Sequence, residues 1–318
     1  MAARPQHYGA AGSILGSAAR VLWRPVGERL PWIAPLSRPI FITGTGRSNT
    51  TFLAECLGAH PETVAPGPEW NQDWEQCTGT GMGGPRTLRR HCPFEDGSGS
   101  SEAQVGALRR RLAFRHARHG GTASQRFVTH SPHLVNKLGL VRRAFPDAVI
   151  VVTFRDLFST AASLKVLHER LGQRHARFHC LPDDPASCWS CLPAAEARGL
   201  PPARRSPGSD AAVLGEYWLR MYELAQAFAE SGAPVIWCDH ARFLADPEGE
   251  LQRIADAAGL GRHTFRLRGR VDPVRNRRWR DILARTEQRQ LHAFVERNRQ
   301  RLRKLWISDS ESLERLTA

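Results

Sequence analysis

The sequence predicts an α/β fold in which a central parallel sheet is flanked by helices. Three observations carry that prediction. A short apolar strand, Pro39–Thr43 (PIFIT), runs into a turn-rich loop, Gly44-Thr45-Gly46-Arg47-Ser48-Asn49, and then into a helix from Thr50 to about Ala59. Strand, loop and helix in that order form the first half of a βαβ unit. A second run, Ala148–Phe154 (AVIVVTF), is apolar without alternation, as suits a parallel strand buried on both faces. Further strands and amphipathic helices alternate along the rest of the chain, which favours a parallel sheet covered on both sides.

The elements follow in order. Residues 1–37 read as a leader with no acid before Glu28 and with Arg4, Arg20 and Arg24. Its apolar run from Ala10 to Ala19 is diluted by Gly and Ser and ends at Arg20, so it makes a poor secretory signal. A flexible arm or surface helix is expected, with a transit peptide as the alternative, and its charge suits peripheral contact with a membrane. In the first helix Phe52, Leu53, Cys56 and Leu57 share a face. Residues 66–100 are loop-rich, with glycines at 79, 81, 83 and 84, and loops of that length are commonly functional. A basic helix is expected over Ser101–Arg118, a strand over Arg126–Thr129 and a helix over Leu134–Phe145. After the AVIVVTF strand comes a helix over Phe158–Leu171, then an irregular Pro-, Cys- and Ala-rich insertion over 179–210. Ala211–Ser231 is amphipathic, with Leu214, Tyr217, Trp218, Met221, Leu224 and Phe228 on its apolar stripe. A strand at Pro234–Cys238, a helix at Glu248–Ala258, a basic loop over 262–280 and a last helix over 285–305 complete the chain.

Composition narrows the function without naming it. The net charge is +14, and Lys137, Lys165 and Lys304 are the only lysines, so the positive charge is almost all arginine. Arginine reads phosphate and sulfate through forked hydrogen bonds, but an arginine bias is equally a habit of GC-rich genomes. A nucleic-acid binder would need a groove-reading element or an aromatic-interleaved basic patch, and neither is evident. No stretch has the length of a membrane span. Seven cysteines scattered through 318 residues point to a reducing, cytoplasmic compartment. Cys188-Trp189-Ser190-Cys191, with Cys180, His175 and His179 nearby, is an incomplete zinc pattern, and no metal is assigned.

The loop after the first strand is built to hold an anion. Its glycines let backbone approach a ligand, and the next helix presents its N-terminal amides. Arg47 adds a charge, and Ser48, Thr50 and Thr51 add hydroxyls. The nucleoside triphosphatase pattern G-x-x-x-x-G-K-[ST] fails here: counted from Gly44, the second glycine is Asn49 and the lysine is Thr50. Without that lysine the main γ-phosphate contact is missing.

The run Arg47-Ser48-Asn49-Thr50-Thr51-Phe52-Leu53 resembles the 5′-phosphosulfate loop of sulfotransferases that use 3′-phosphoadenosine 5′-phosphosulfate (PAPS). Val151-Val152-Thr153-Phe154-Arg155-Asp156, with Ser163 eight residues after Arg155, is similar to that family's 3′-phosphate site. Phe145-Pro146-Asp147-Ala148 and the stretch from Asp246-Pro247-Glu248 to Gly259-Leu260 extend the likeness. One position departs: Asn49 stands where the family has glycine, and Asn tolerates the left-handed backbone better than most residues.

The resemblance implies a P-loop-like three-layer domain over residues 38–310. Loop-rich insertions at about 66–125 and 172–210 would build the acceptor site. The implied activity is transfer of a sulfuryl group from PAPS, as co-substrate and without a metal, to a hydroxyl or amine of a carbohydrate, glycolipid or small metabolite. It assigns Arg47, Ser48, Asn49, Thr50 and Thr51 to the 5′ end of the donor, Arg155 and Ser163 to its 3′-phosphate, and Phe52 to the adenine. Arg268, Gly269 and Trp279 of the basic loop would close over the nucleotide. Arg47 would also stabilise charge on the leaving oxygen. Two residues are candidates for the base. Glu69 lies in Pro68-Glu69-Trp70, where related branches carry a catalytic Glu, and is slightly favoured. His130 lies in Thr129-His130-Ser131-Pro132, where another branch has a catalytic His. Trp70, Trp74, Tyr217 and Trp218 are either acceptor-pocket walls or, for the last two, plain core. The competing reading is a non-catalytic module that binds a nucleotide or a sulfated ligand.

Overall fold

A computed structural model describes residues 33–84, 87–89, 91–172, 177–179, 190–192, 211–265, 267 and 278–305. Its centre is a five-stranded sheet made of β1 (Ile40–Gly44), β2 (Thr63–Val64), β3 (Arg126–His130), β4 (Val149–Phe154) and a later strand, β7 (Val235–Asp239). The spatial order is β2-β3-β1-β4-β7, and every neighbouring pair is parallel. A separate antiparallel ribbon pairs β5 (Arg177–His179) with β6 (Ser190–Leu192).

Alternation in the central strands sends side chains to two cores. Phe41, Ile150, Val152 and Phe154 enter one core. It is completed by α3 (Glu102–Arg118), α4 (Leu138–Ala144), α5 (Leu157–Gly172), α6 (Ala211–Glu230) and α10 (Arg285–Arg297). Ile40, Ile42, Val128, Val151 and Cys238 enter the other. There they meet α1 (Thr50–Leu57), α7 (His240–Ala245) and α8 (Pro247–Ala258). Both faces are therefore apolar, and the strands read as unbroken hydrophobic runs because neither side meets water.

Local chemistry sets the helix ends. Ser101 caps α3 in a box with Gln104, each side chain meeting the other residue's backbone N–H. Asp246 accepts the N–H of Gly249 ahead of Pro247, and Gly259 ends α8 at φ 74°.

Four expectations change. The insertion expected to be irregular over 179–210 contains β6, paired with β5. The stretch expected to be loop-rich contains α2 (Asn71–Thr78), a polar helix whose N-cap is Trp70 rather than a capping side chain, so neither periodicity nor a start signal marks it. The helix expected from Leu134 starts at Leu138, because Pro132–Leu134 forms a 3₁₀ turn first. The last helix breaks at Asn298 into α10 and α11 (Arg299–Lys304), with the short α9 (Trp279–Ile282) before them.

β1 lies between β3 and β4, so the chain leaves it toward one side of the sheet and later crosses to the other. Such a switch point opens a crevice at the carboxyl ends of the strands. The glycine loop follows β1, His130 ends β3 and Arg155 follows β4, so the loop and two of the residues singled out above meet at this crevice.

Candidate active site

The loop after β1 is held from below. Gly44 sits at φ 149°, and a Cβ there would collide with Thr153 and Ser48. Ser48 donates its hydroxyl to Thr45 O at 2.6 Å and pairs with Thr153 Oγ1 at 2.7 Å. That hydroxyl, expected at the anion, is committed inward and fastens the loop to β4. Asn49 adopts φ 82°, ψ 17°, the left-handed conformation that glycine would supply, and its side chain makes no capping bond to α1. Arg47 is also left-handed, at φ 70°. Two left-handed residues in one short loop, flanking Ser48, are costly without glycine. Thr50 is buried and Thr51 exposed at the start of α1.

Arg155 and Ser163 come together with Arg47 because Asp156 caps α5, accepting the N–H of Ser159 at 2.7 Å, and Ser163 follows two turns along. Arg155 Nη1 donates to Arg47 O at 3.0 Å, and Arg47 Nε donates to Ser163 Oγ at 3.0 Å. Both guanidinium groups are pulled below the usual arginine range. Burial is the main cause for each; Arg170 adds to it at Arg47, and Arg47 adds to it at Arg155 against the pull of Asp156. Arg47 is open to solvent and Arg155 half-buried, and like charges held this close are relieved by an anion that enters from solvent.

A helix face that sequence reading assigned mainly to the core backs this arrangement. Tyr217 OH accepts the Gly46 N–H at 2.9 Å, and Trp218 Nε1 donates to Arg155 O at 2.8 Å. Tyr222 OH reaches Thr45, Thr153 and Arg155. The signal available in the sequence was three polar-tipped aromatics on one buried stripe, since buried Tyr and Trp tips need partners.

On the other side of β1 stand the two candidate bases. Ser131 N donates to Ile42 O, and Thr43 Oγ1 donates to Ser131 O at 2.8 Å, so the end of β3 is tied to the strand that feeds the loop. His130 is 4% exposed. Burial holds its imidazole below the ordinary histidine value, against the opposing charges of Glu69 and Glu55. Glu69 is half-buried. Asn71 Nδ2 donates to Glu69 Oε2 at 2.7 Å, and Ser131 Oγ donates to Asn71 Oδ1 at 2.8 Å. This relay, absent from the sequence reading, places Glu69 beside the end of β3. Trp70, between Glu69 and Asn71, is left-handed at φ 54°, lies under Arg115 at 4.4 Å, and leaves its indole N–H buried without a partner.

The other predicted positions are more scattered. Phe52 packs edge-to-face on Phe243, 5.8 Å away, in the second core. Trp279 stacks on Phe158, 4.8 Å away, near the start of α5. Arg268 and Gly269 lie outside the described residues, as do the side chains of Cys180, Cys188 and Cys191 and residues 1–32. Among the described residues no cluster of His, Cys, Asp and Glu is placed to hold a metal, and no helix is long and apolar enough to cross a membrane.

Residues 39–264, more than two thirds of the chain, match the profile described as the sulfotransferase family. The chain belongs to the sulfotransferase family. Among solved structures, a sulfotransferase from Alicyclobacillus acidocaldarius shares the fold, with a TM-score of 0.54 and 15% identity over 88% of this chain and 100% of that one. Sulfotransferase STF1 from Mycobacterium tuberculosis H37Rv gives a TM-score of 0.48 and 17% identity, over 87% and 81% of the two chains. No curated protein matches the sequence.

Proposed function

We propose that this sulfotransferase takes its sulfuryl group from PAPS and delivers it to a hydroxyl or amine of a carbohydrate, glycolipid or small metabolite. The observation that carries the reading is the convergence of Arg47, Arg155 and Ser163 through two 3.0 Å hydrogen bonds, with the amide-lined start of α1 alongside. Two guanidinium groups, Arg155 half-buried and Arg47 open to solvent, form a dianion cradle with a row of helix amides, which suits a nucleotide phosphorylated at both ends. When bound, the donor supplies the sulfuryl group and a phosphate as leaving group.

Each residue then has a defined task. Arg47 and the first amides of α1 neutralise charge as it grows on the leaving oxygen. Arg155 donates to the 3′-phosphate. Ser163 keeps its hydroxyl proton while accepting from Arg47, so it donates to the same phosphate. Trp279, on the flank of α5, borders the nucleotide. Glu69 takes the acceptor's proton at Oε1, the oxygen that Asn71 does not hold, and its half-exposure leaves it reachable where His130 is shielded. His130, kept neutral by burial, is the second proton acceptor at the end of β3. The left-handed Asn49 supports an intact donor loop, and turnover separates this reading from the non-catalytic binder.

The test is transfer of radiolabelled sulfate from PAPS to a panel of sugars, glycolipids, phenols and amines. Labelled product with the wild-type protein, falling by about 10²–10³-fold in Arg47→Ala, as for loss of one electrostatic stabiliser, supports the reading. Label that stays in PAPS with every acceptor class opposes it.

A further inference from the structure

One side chain touches both ends of the proposed donor site from behind. Tyr222, on α6, is fully buried. Its hydroxyl donates to Thr153 O at 3.0 Å, accepts the Arg155 N–H at 3.3 Å and lies 3.1 Å from Thr45 Oγ1. A phenol has one proton, and here it goes to the Thr153 carbonyl. Thr45 is therefore the donor to Tyr222, and the oxygen is saturated with one bond given and two received. Burial pushes this phenol up to about 12, so the proton stays in place throughout the neutral range. Thr45 belongs to the loop after β1, whereas Thr153 and Arg155 belong to the end of β4.

Three other links join the same parts: Arg155 to Arg47 O, Arg47 to Ser163, and, buried beneath the loop, Ser48 to Thr153 Oγ1. The first two use groups that face the ligand and that turn to it on binding, and the third stops at Thr153, whereas Tyr222 also holds the backbone N–H of Arg155. The Tyr222 link lies beneath the site and is compatible with a bound ligand.

We propose that Tyr222 is a positioning residue that sets the spacing between the loop that grips the 5′ end and the Arg155–Ser163 grip on the 3′-phosphate, so that the site selects a nucleotide phosphorylated at both ends. The proposal rests on the donor reading above. A ligand held at two points gains from the second grip only when the two stand at its own spacing. A monophosphate engages one grip and does not sense the spacing. Loss of the tyrosine hydroxyl should therefore fall on the bisphosphate, whereas general damage to the site would weaken every nucleotide alike.

The experiment is calorimetric titration of the full chain and its Tyr222→Phe variant with adenosine 3′,5′-bisphosphate, adenosine 5′-monophosphate and adenosine 3′-monophosphate. It is run below the melting temperature of both proteins. Tyr222→Phe should lose about tenfold in affinity for the bisphosphate, the equivalent of one buried hydrogen bond, and less than about threefold for either monophosphate. If Tyr222→Phe does not fold, Thr45→Val gives the decision: it cuts only the loop end of the bridge and should show the same selective loss. An unchanged preference for the bisphosphate in a folded variant, or an equal loss for all three nucleotides, overturns the role of Tyr222. A wild-type protein that binds none of them, or binds them equally, overturns the donor reading itself.

Discussion

Asn49 carries the one departure from the family's loop pattern, and its backbone shows how the departure is accommodated. At φ 82° it occupies the region where glycine is free and asparagine is the next most tolerant residue. Asn49→Gly should leave stability within about 0.5 kcal/mol, while Asn49→Ala should lose about 1 kcal/mol, the cost of a Cβ in the left-handed region. Urea midpoints of the three proteins check this. His130 gives a pH dependence. Its folded value lies below the ordinary one because burial disfavours the imidazolium. The folded state thus binds fewer protons than the unfolded chain just below pH 6.5. Stability is full above that pH and declines as pH falls toward the depressed folded value. His130→Gln should flatten that acid limb in thermal melts between about pH 5 and 7. Arg47, Arg155 and Ser163 were legible because each sits at a fixed offset from a strand end. Tyr222 was not, because its hydroxyl contacts lie 177 and 69 positions away in sequence, and a tyrosine on an apolar stripe has the same spacing whether or not its tip is used.

At the scale of elements, the four longer strands of the central sheet were the easiest to read, while the two- and three-residue strands β2, β5 and β6 left no pattern. Runs such as Val149–Phe154 are buried on both faces and so leave an unbroken apolar signal. The polar α2 left none, although it holds the Asn71 that steadies Glu69 and the buried Glu75 that gathers the N–H groups of Met82, Leu88 and Arg89. The helix that backs Arg155 and the loop after β1 is itself braced from the C-terminal end. Arg301 of α11 bonds Glu216 at 2.9 and 3.0 Å and Glu223 at 2.8 Å, with both carboxylates on α6. Forked pairs in a network exceed the value of a lone surface pair. Arg301→Ala should cost about 1–2 kcal/mol, read as a lower melting temperature. Because α6 carries Tyr217, Trp218 and Tyr222, hydrogen exchange at Gly46 and Arg155 should quicken in the same variant.

Across the whole molecule, one topological fact gathers the chemistry. The sheet order β2-β3-β1-β4-β7 sets β1 between β3 and β4, so the loop after β1 receives His130 from one side and Arg155 from the other. The alternation of strands and helices made the parallel, two-sided sheet legible, but not the order of its strands. The Glu69 side of the crevice was less legible, because its relay from Glu69 through Asn71 to Ser131 joins side chains by spatial contact rather than by a motif. The central claim is that the two arginines grip a nucleotide phosphorylated at its 3′ and 5′ positions. The most direct measurement is titration of the wild-type protein and the Arg155→Ala, Ser163→Ala double variant with adenosine 3′,5′-bisphosphate, beside an ATP control. Micromolar binding by the wild type alone, with none for ATP, is the predicted result. Absence of bisphosphate binding by the folded wild-type protein, or equal binding by the double variant, would contradict it.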